Sequence, residues 1–372
     1  MKITDIEGIL LRLPVVREIG DGCQNILIIR IHTDEGIVGI GEAHTNPLVN
    51  KAVLDAPICS VSAQGLRQLL IGEDPRDIAR LNDKMQRHSQ TYGRRGVAMH
   101  VISGIDIALW DILGKSVGLP VHRLLGGARK LVHRAYASDL SQDTVEETIE
   151  RALAHKANGY RAMKFGWGAL GGDPRADVAV AAALRRALGD DFDIMIDMGF
   201  AVPLDHALYL GRALAEHGVY FLEEPLAPDD WRGWRTLVAS SPTPIATGEK
   251  LSAEAEYLDL MDQGSLRVIQ PDVARVGGIS AALRIAVHAE ARGVRVIPHC
   301  WSTDILVSAT LQVIATLRDC PYLEYNVTDN PLRTDLLVNP IRPVDGVVAV
   351  PDGPGLGIEL NPDTLAKYRW EP

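Results

Sequence analysis

Residues 3–13 and Asn25–Thr33 (NILIIRIHT) are dense in β-branched and apolar side chains, and Asp34-Glu35-Gly36 before Ile37–Gly41 adds a tight turn and a further strand. From about residue 62 the apolar period lengthens to that of a helix. Over residues 97–115 (VAMHVISGIDIALWDILGK), Val101, Ile105, Leu109 and Ile112 fall on one helical face, and Gly114 with Gly118-Leu119-Pro120 predicts the stop. Residues 1–125 thus read as a three-stranded meander followed by helices, an α+β unit.

After Gly126-Gly127 the pattern repeats. Short apolar strands are predicted at Arg134–Ser138, Arg161–Phe165, Asp193–Asp197, Tyr220–Glu223, Pro244–Glu249, Arg267–Asp272, Arg295–His299 and Tyr322–Tyr325. Between them lie stretches rich in Ala, Leu, Arg and Glu, as in Val178–Leu188 and Ile279–Arg292, each long enough for a helix. Eight strand-then-helix units over residues 126–335 predict an α/β fold, a (β/α)8 barrel of the TIM type. An open doubly wound sheet would also alternate, but neither GxGxxG nor a Walker pattern is present. Residues 336–372 carry no ninth unit. Their Pro/Gly-rich stretch Val350–Gly357 predicts a tail that leaves the barrel and packs on the first domain.

Composition narrows the class. The chain has 372 residues, 47% hydrophobic and 23% charged, enough to bury a large core. Lys+Arg 38 against Asp+Glu 48 leaves a net charge of −10 with no basic cluster, which argues against nucleic acid as a partner. Apolar runs such as Ile26 to Ile31 fall short of the roughly 20 residues of a membrane span. Asp5 and Glu7 in the opening MKITDIEGIL do not fit a secretory signal. Cys23, Cys59, Cys300 and Cys320 are dispersed without a CxxC, so a cytoplasmic protein with reduced thiols is expected.

The chemistry lies at the ends of the predicted barrel strands, which finish in order on Lys164, Asp197, Glu223, Glu249, Asp272, His299 and Glu324. Any one such acid reads equally well as a helix cap. Seven in succession do not, because capping would use Ser, Thr and Asn as often. Parallel strands bring all seven to one mouth, where barrel enzymes keep their active sites. Asp197, Glu223 and Glu249 come from consecutive strands and cannot all stay ionised together without a cation. An all-oxygen set selects a hard divalent ion, one Mg²⁺. Asp272 can orient the imidazole of His299 and leave its other nitrogen to take a proton. A divalent ion facing a base suits abstraction of the weakly acidic proton α to a carboxylate, because the ion and a cationic Lys164 stabilise the enediolate.

At these residues the sequence resembles the mandelate racemase subgroup of the enolase superfamily. The resemblance runs through Gly39-Ile40-Gly41-Glu42, SGIDIALWDILGK (103–115), LLGG (124–127), IDMG, FLEEP, ATGEK, IQPDVARVGG, VIPHCW and PDGPGLGIEL (351–360). It implies an N-terminal α+β capping domain over a modified (β/α)8 barrel, with the tail returning to the cap. It also implies Asp197, Glu223 and Glu249 as Mg²⁺ ligands and Asp272–His299 as the base dyad. Glu324 would hydrogen-bond the substrate carboxylate or act as an acid. Two positions depart from the subgroup. The second barrel strand commonly ends Lys-x-Lys, with the second lysine a base opposite the histidine; here Lys164 is followed by Phe165 and Gly166. Gly199 stands where relatives often have Asn, which would enlarge the pocket. A single dedicated base suits dehydration of a sugar acid better than racemisation, with His299 serving as base and then as acid. A racemase, an epimerase, a cycloisomerase opening a sugar-derived lactone or anhydro ring, and a catalytically silent carboxylate binder are the alternatives.

Pocket walls are expected from the cap loops Val15–Cys23 and His44–Ala56, with Arg17, His44 and Asn46 as polar candidates, and from Tyr136, Trp167 and Trp301. The expected partners are a small-molecule sugar acid and further copies of the chain, from dimer to octamer.

Overall fold

The computed structural model describes every residue except 19, 21–23, 169, 263 and 265, so Cys23 and part of the Val15–Cys23 loop lie outside the described residues. The β-branched runs form strands β1 (Ile3–Arg12), β2 (Asn25–Thr33) and β3 (Val38–Ala43), an antiparallel sheet in that order with Ile6 opposite Ile31 and Ile28 opposite Glu42. The helix Val97–Val117 lies directly on β3. Glycine permits that approach, since a Cβ at Gly39 or Gly41 would strike the carbonyl oxygens of Ala108 and Gly104. Most of this helix is buried, which is why it is long and apolar enough to cross a membrane by composition alone.

Helical structure begins earlier than the periodicity predicts. Pro47–Asp55 is already a helix, buried only at Pro47, Asn50 and Leu54, too thin an apolar stripe to be read. The expected His44–Ala56 loop is therefore mostly helix.

Eight parallel strands form the second unit: β4 (Val132–Leu140), β5 (Ala162–Gly166), β6 (Asp193–Asp197), β7 (Phe221–Glu223), β8 (Ile245–Thr247), β9 (Val268–Ile269), β10 (Arg295–Val296) and β11 (Leu323–Asn326). Each pairs with the next from β4 to β10, and β11 closes back on β4 with Glu324 opposite Tyr136. Where β10 faces β11, the Cys300 N–H donates to Glu324 Oε2 at 2.7 Å and bridges the two strand ends. The expected eighth helix is reduced to Pro331–Thr334, of 4 residues, the next element after β11. The Pro-rich chain then leaves the barrel. Strand β12 (Val347–Ala349) pairs antiparallel with β4, the Leu356 N–H donates to Asp111 Oδ1 in the helix Val97–Val117, and Arg369 bridges to Leu11 of β1.

Side-chain alternation positions the site. Tyr136, Ala162, Met195, Phe221, Ala246, Val268, Ile297 and Tyr322 form one apolar cluster inside the barrel. Two positions further along the same strands stand Ser138, Lys164, Asp197, Glu223, Gly248, Gln270, His299 and Glu324. A period of two turns both sets to the interior, the apolar set as a floor and the polar set as the layer above it.

A buried network joins the cap helix to the barrel. Asp106 accepts from Ser280 N at 3.0 Å, from Ser280 Oγ and from Asn82 Nδ2 at 3.2 Å. Burial pushes its carboxyl up to about 6, against the pull of those hydrogen bonds. The folded state thus binds this proton more tightly than the unfolded chain does, where the group has its ordinary value of 3.8. Its stabilising contribution is complete below that value and is lost as pH rises through about 6. From about pH 4 to about pH 7 the parent should lose about 3 kcal/mol more stability than Asp106→Asn, a difference that urea melts of the two proteins at each pH will read.

Candidate active site

Asp197 closes β6, Glu223 closes β7, and Glu249 follows β8. Glu249 is one step out of the alternation. Gly248, at φ 131, breaks the strand there and turns Glu249 back toward the other two. The turn is held from behind by Glu224, whose Oε1 accepts from Thr247 Oγ1 at 2.7 Å and Gly248 N at 2.9 Å. Glu224 itself has φ 47, an uncommon conformation for a non-glycine residue, beside the ligand candidate Glu223. One ligand atom from each of Asp197, Glu223 and Glu249 lies within 4.8 Å of the others, and all three residues are buried.

Lys164, 3% exposed, stands among them with Nζ 2.5 Å from Glu223 Oε1, 2.8 Å from Glu324 Oε1 and 3.5 Å from Asp197 Oδ2. Burial opposes its charge, but the Glu223 and Glu324 carboxylates outweigh burial and hold its pKa well above the ordinary value. Burial drives the Glu223 carboxyl strongly upward and that of Asp197 upward, Lys164 only partly relieving either. Glu223 Oε2 is buried without a hydrogen-bond partner. The donor set therefore fits a hard divalent cation: three converging carboxylates, an excess of negative charge, and one oxygen left open.

Glu324 is placed differently from expectation. Its Oε1 accepts from Ser138 Oγ at 2.7 Å and from Lys164, and its Oε2 from the Cys300 N–H. Burial would raise its pKa, but Lys164 and His299 hold it below the ordinary value. With both oxygens engaged, Glu324 is the counter-ion of Lys164.

The dyad is assembled. Asp272 Oδ2 accepts from His299 Nδ1 at 2.6 Å, and Oδ1 accepts from the Ala274 N–H at 2.7 Å. Burial opposes the Asp272 charge, yet hydrogen bonds from His299 and His44 with nearby Arg275 keep its carboxyl well below the ordinary range. His299 Nε2 lies 3.4 Å from Glu249 Oε2. Burial disfavours its imidazolium, but Glu249 and Glu324 raise its pKa to about 10. A cation held by Glu249 would offset part of that pull.

His44 joins this group from the cap, with Nδ1 3.5 Å from Asp272 Oδ2 and its ring 6.2 Å from that of His299, within 10° of parallel. Glu42, two residues earlier, accepts from Ser302 Oγ and Thr303 Oγ1 and so clamps the cap to the loop after His299.

Lys164, Asp197, Glu249, His299, Trp167 and Trp301 line one small cavity. The other wall candidates fall elsewhere. Tyr136 is wholly buried in the barrel floor, its ring 5.9 Å below the Lys164 ammonium. Asn46 caps the helix Pro47–Asp55, accepting from Leu48 N and Val49 N. Arg17 is exposed on the cap loop. Gly199 does not enlarge the pocket: the Trp167 indole sits so close that a Cβ there would be 2.6 Å from it, and the same ring meets Phe200 edge-on at 4.9 Å. Gly166 is equally constrained, since a Cβ would come within 2.5 Å of the Asp197 carbonyl oxygen.

Sequence reasoning missed Glu42, Ser138, Glu224 and Gln270. The second Glu of FLEEP and the Glu of GIGEA were visible as acids within apolar surroundings, but their partners are remote in sequence. Gln270 is buried with neither amide atom hydrogen-bonded.

The family described as enolase C-terminal domain-like matches residues 147–364, and the mandelate racemase / muconate lactonizing enzyme N-terminal domain matches residues 10–126. D-galactarolactone cycloisomerase of Agrobacterium fabrum is 34% identical over 92% of this chain and 91% of its own. Arabinonate dehydratase of Saccharolobus solfataricus is 30% identical over 95% of this chain and 93% of its own. Among solved structures, the 3,6-anhydro-D-galactonate cycloisomerase from Zobellia galactanivorans superposes with a TM-score of 0.90 at 32% identity, covering 100% of both chains.

Proposed function

The chain belongs to the mandelate racemase / muconate lactonizing enzyme family of the enolase superfamily, and from that premise we propose that it abstracts the α-proton of a sugar acid and expels the β-oxygen. For an aldonate or aldarate the departing group is water and the enzyme is a dehydratase. The observation that carries this reading is one cavity lined by Asp197 and Glu249 of the carboxylate cluster, by Lys164, and by His299 of the Asp272–His299 dyad.

A single Mg²⁺ held by Asp197, Glu223 and Glu249 would supply Lewis-acid stabilisation of the enediolate at the substrate carboxylate. The remaining work belongs to the chain. Lys164, fixed as an ammonium, adds positive charge beside that carboxylate. Asp272 sets the ring of His299 with Nδ1–H toward itself, so Nε2 is the nitrogen that takes the α-proton. Trp167 and Trp301 shield the cavity from water.

The second reading, a cycloisomerase, is favoured by the cycloisomerase relatives. It uses the same intermediate and differs only in that the leaving oxygen stays tethered in a ring. A panel of aldonates, aldarates and their lactones, incubated with Mg²⁺ in D₂O, separates the outcomes. A semicarbazide-reactive 2-keto-3-deoxy product lighter than its substrate by one water is the expected result. A product of unchanged mass indicates the cycloisomerase, and α-exchange without elimination a racemase or epimerase. Neither exchange nor product with any acid leaves a silent carboxylate binder and overturns the proposal.

A further inference from the structure

We propose that His44, carried by the cap, is the acid that protonates the departing β-oxygen; this rests on the elimination chemistry proposed above. A hydroxide or alkoxide leaves poorly, so elimination needs a proton donor beside the base. The other residues of the site are committed. Lys164 is held by Glu223 and Glu324 at 2.5 and 2.8 Å. The subgroup's second lysine is replaced by Gly166, where the Asp197 backbone leaves no room for a Cβ. Glu324 has both oxygens engaged. His299 receives the α-proton.

His44 stands beside the base dyad. It is 4% exposed, and its Nε2 is buried with no hydrogen-bond partner. Its Nδ1 addresses the same Asp272 oxygen as Nδ1 of His299, and the two rings lie parallel. One carboxylate thus orients two imidazoles, and the nitrogen that each keeps free of Asp272 is its Nε2. The Glu42 clamp onto Ser302 and Thr303 fixes the cap strand next to His44, and the following residue, Thr45, has φ 141, rare for a β-branched side chain.

The step balances without a further reactant. The Cα–H bond breaks, its proton going to His299 Nε2 and its electron pair into the enediolate. That pair forms the C2–C3 double bond as the C3–O bond breaks, and the oxygen departs with the C–O pair and takes the proton from His44 Nε2. His44 is left neutral with Nδ1–H toward Asp272 and regains its proton from water. The enol ketonises by accepting at C3 the proton that His299 returns and releasing its O–H proton to solvent, which makes up the proton that His44 takes from it. Base and acid act from one side of the substrate.

The test is His44→Asn in the full-length enzyme with Mg²⁺, following two readouts on a substrate found by the panel. Product formation should fall about 10²–10⁴-fold, while deuterium exchange at C2 of recovered substrate persists at the parental rate or above. A 3-chloro analogue, whose chloride leaves without a proton, should be processed by the variant at close to the parental rate. Product formation near the parental level overturns the inference. So does a parallel loss of exchange and product that the chloro analogue does not relieve, which would mark His44 as merely structural. A parent that neither exchanges nor eliminates overturns the elimination chemistry itself, and this inference with it.

Discussion

His299→Asn is expected to abolish α-proton exchange, lowering turnover by at least the 10²–10⁴-fold typical of a lost general base, while Mg²⁺ affinity stays near the parental value. Asn is close in shape to the imidazole and keeps an N–H for Asp272, so the loop after β10 should hold. Its amide accepts no proton from carbon. Metal binding is spared because Asp197, Glu223 and Glu249 come from other strands. Glu249, 3.4 Å from His299 Nε2, even loses a competing partner. Proton NMR of substrate in D₂O reads the exchange, and calorimetric Mg²⁺ titration reads the affinity. Exchange that continues at the parental rate would place the base elsewhere, with Lys164 the remaining nitrogen on the cavity wall. A variant that loses exchange and metal together would mean that His299 holds the carboxylates in place.

The contrast with His44 is diagnostic. Loss of the base stops exchange and elimination alike, whereas loss of the acid leaves exchange running. The two imidazoles share Asp272 and lie in parallel rings, so any general disturbance of the site should affect both variants equally. Opposite exchange phenotypes from neighbouring rings cannot arise from that cause.

The barrel layer was legible because it depends on a local rule. Met195 to Asp197, Phe221 to Glu223 and Ile297 to His299 each repeat one spacing of two, and the parallel strands bring these residues to one layer. Legibility ends where the chain leaves the strand. Glu249 required the turn at Gly248, which Glu224 holds from a neighbouring strand. The space expected from Gly199 was filled by Trp167, which follows the neighbouring strand β5. Asn46 reads in sequence as loop polarity, yet Pro47 immediately after it is the usual first residue of a capped helix. Glu324 shows the same limit for electrostatics: its type and strand position could be read, but its charge is held by Lys164, His299 and the Cys300 N–H, contributed by other strands and the loop that follows β10. His44 was readable as a polar cap residue, and only the packed fold puts it beside Asp272.

Lys164→Met should be the most destabilising single change in the site, and its cost should depend on Mg²⁺. Methionine keeps about the length of the aliphatic stem, so what is removed is chiefly the charge, which stands 5.9 Å from the Tyr136 ring. Glu223 and Glu324 are fully buried and each loses its closest cation. Stripping one partner from a buried pair typically costs about 3–5 kcal/mol. Lys164 occupies Glu223 Oε1 and leaves Oε2 open, so the ammonium and a metal could share this carboxylate without excluding one another. A cation bound to the folded state alone adds about 2.7 kcal/mol at one hundred times its Kd. The parent should therefore melt at lower temperature in EDTA than in saturating Mg²⁺, and the variant, besides its own deficit, should show a larger loss in EDTA than the parent does. The gap widens because the variant's uncompensated carboxylates bind the cation more tightly. Equal melting of parent and variant in EDTA would show that the carboxylates take up protons at no cost, and the charge balance assigned to Lys164 would be wrong. A variant whose deficit is the same with and without Mg²⁺ would separate the lysine from the metal site altogether.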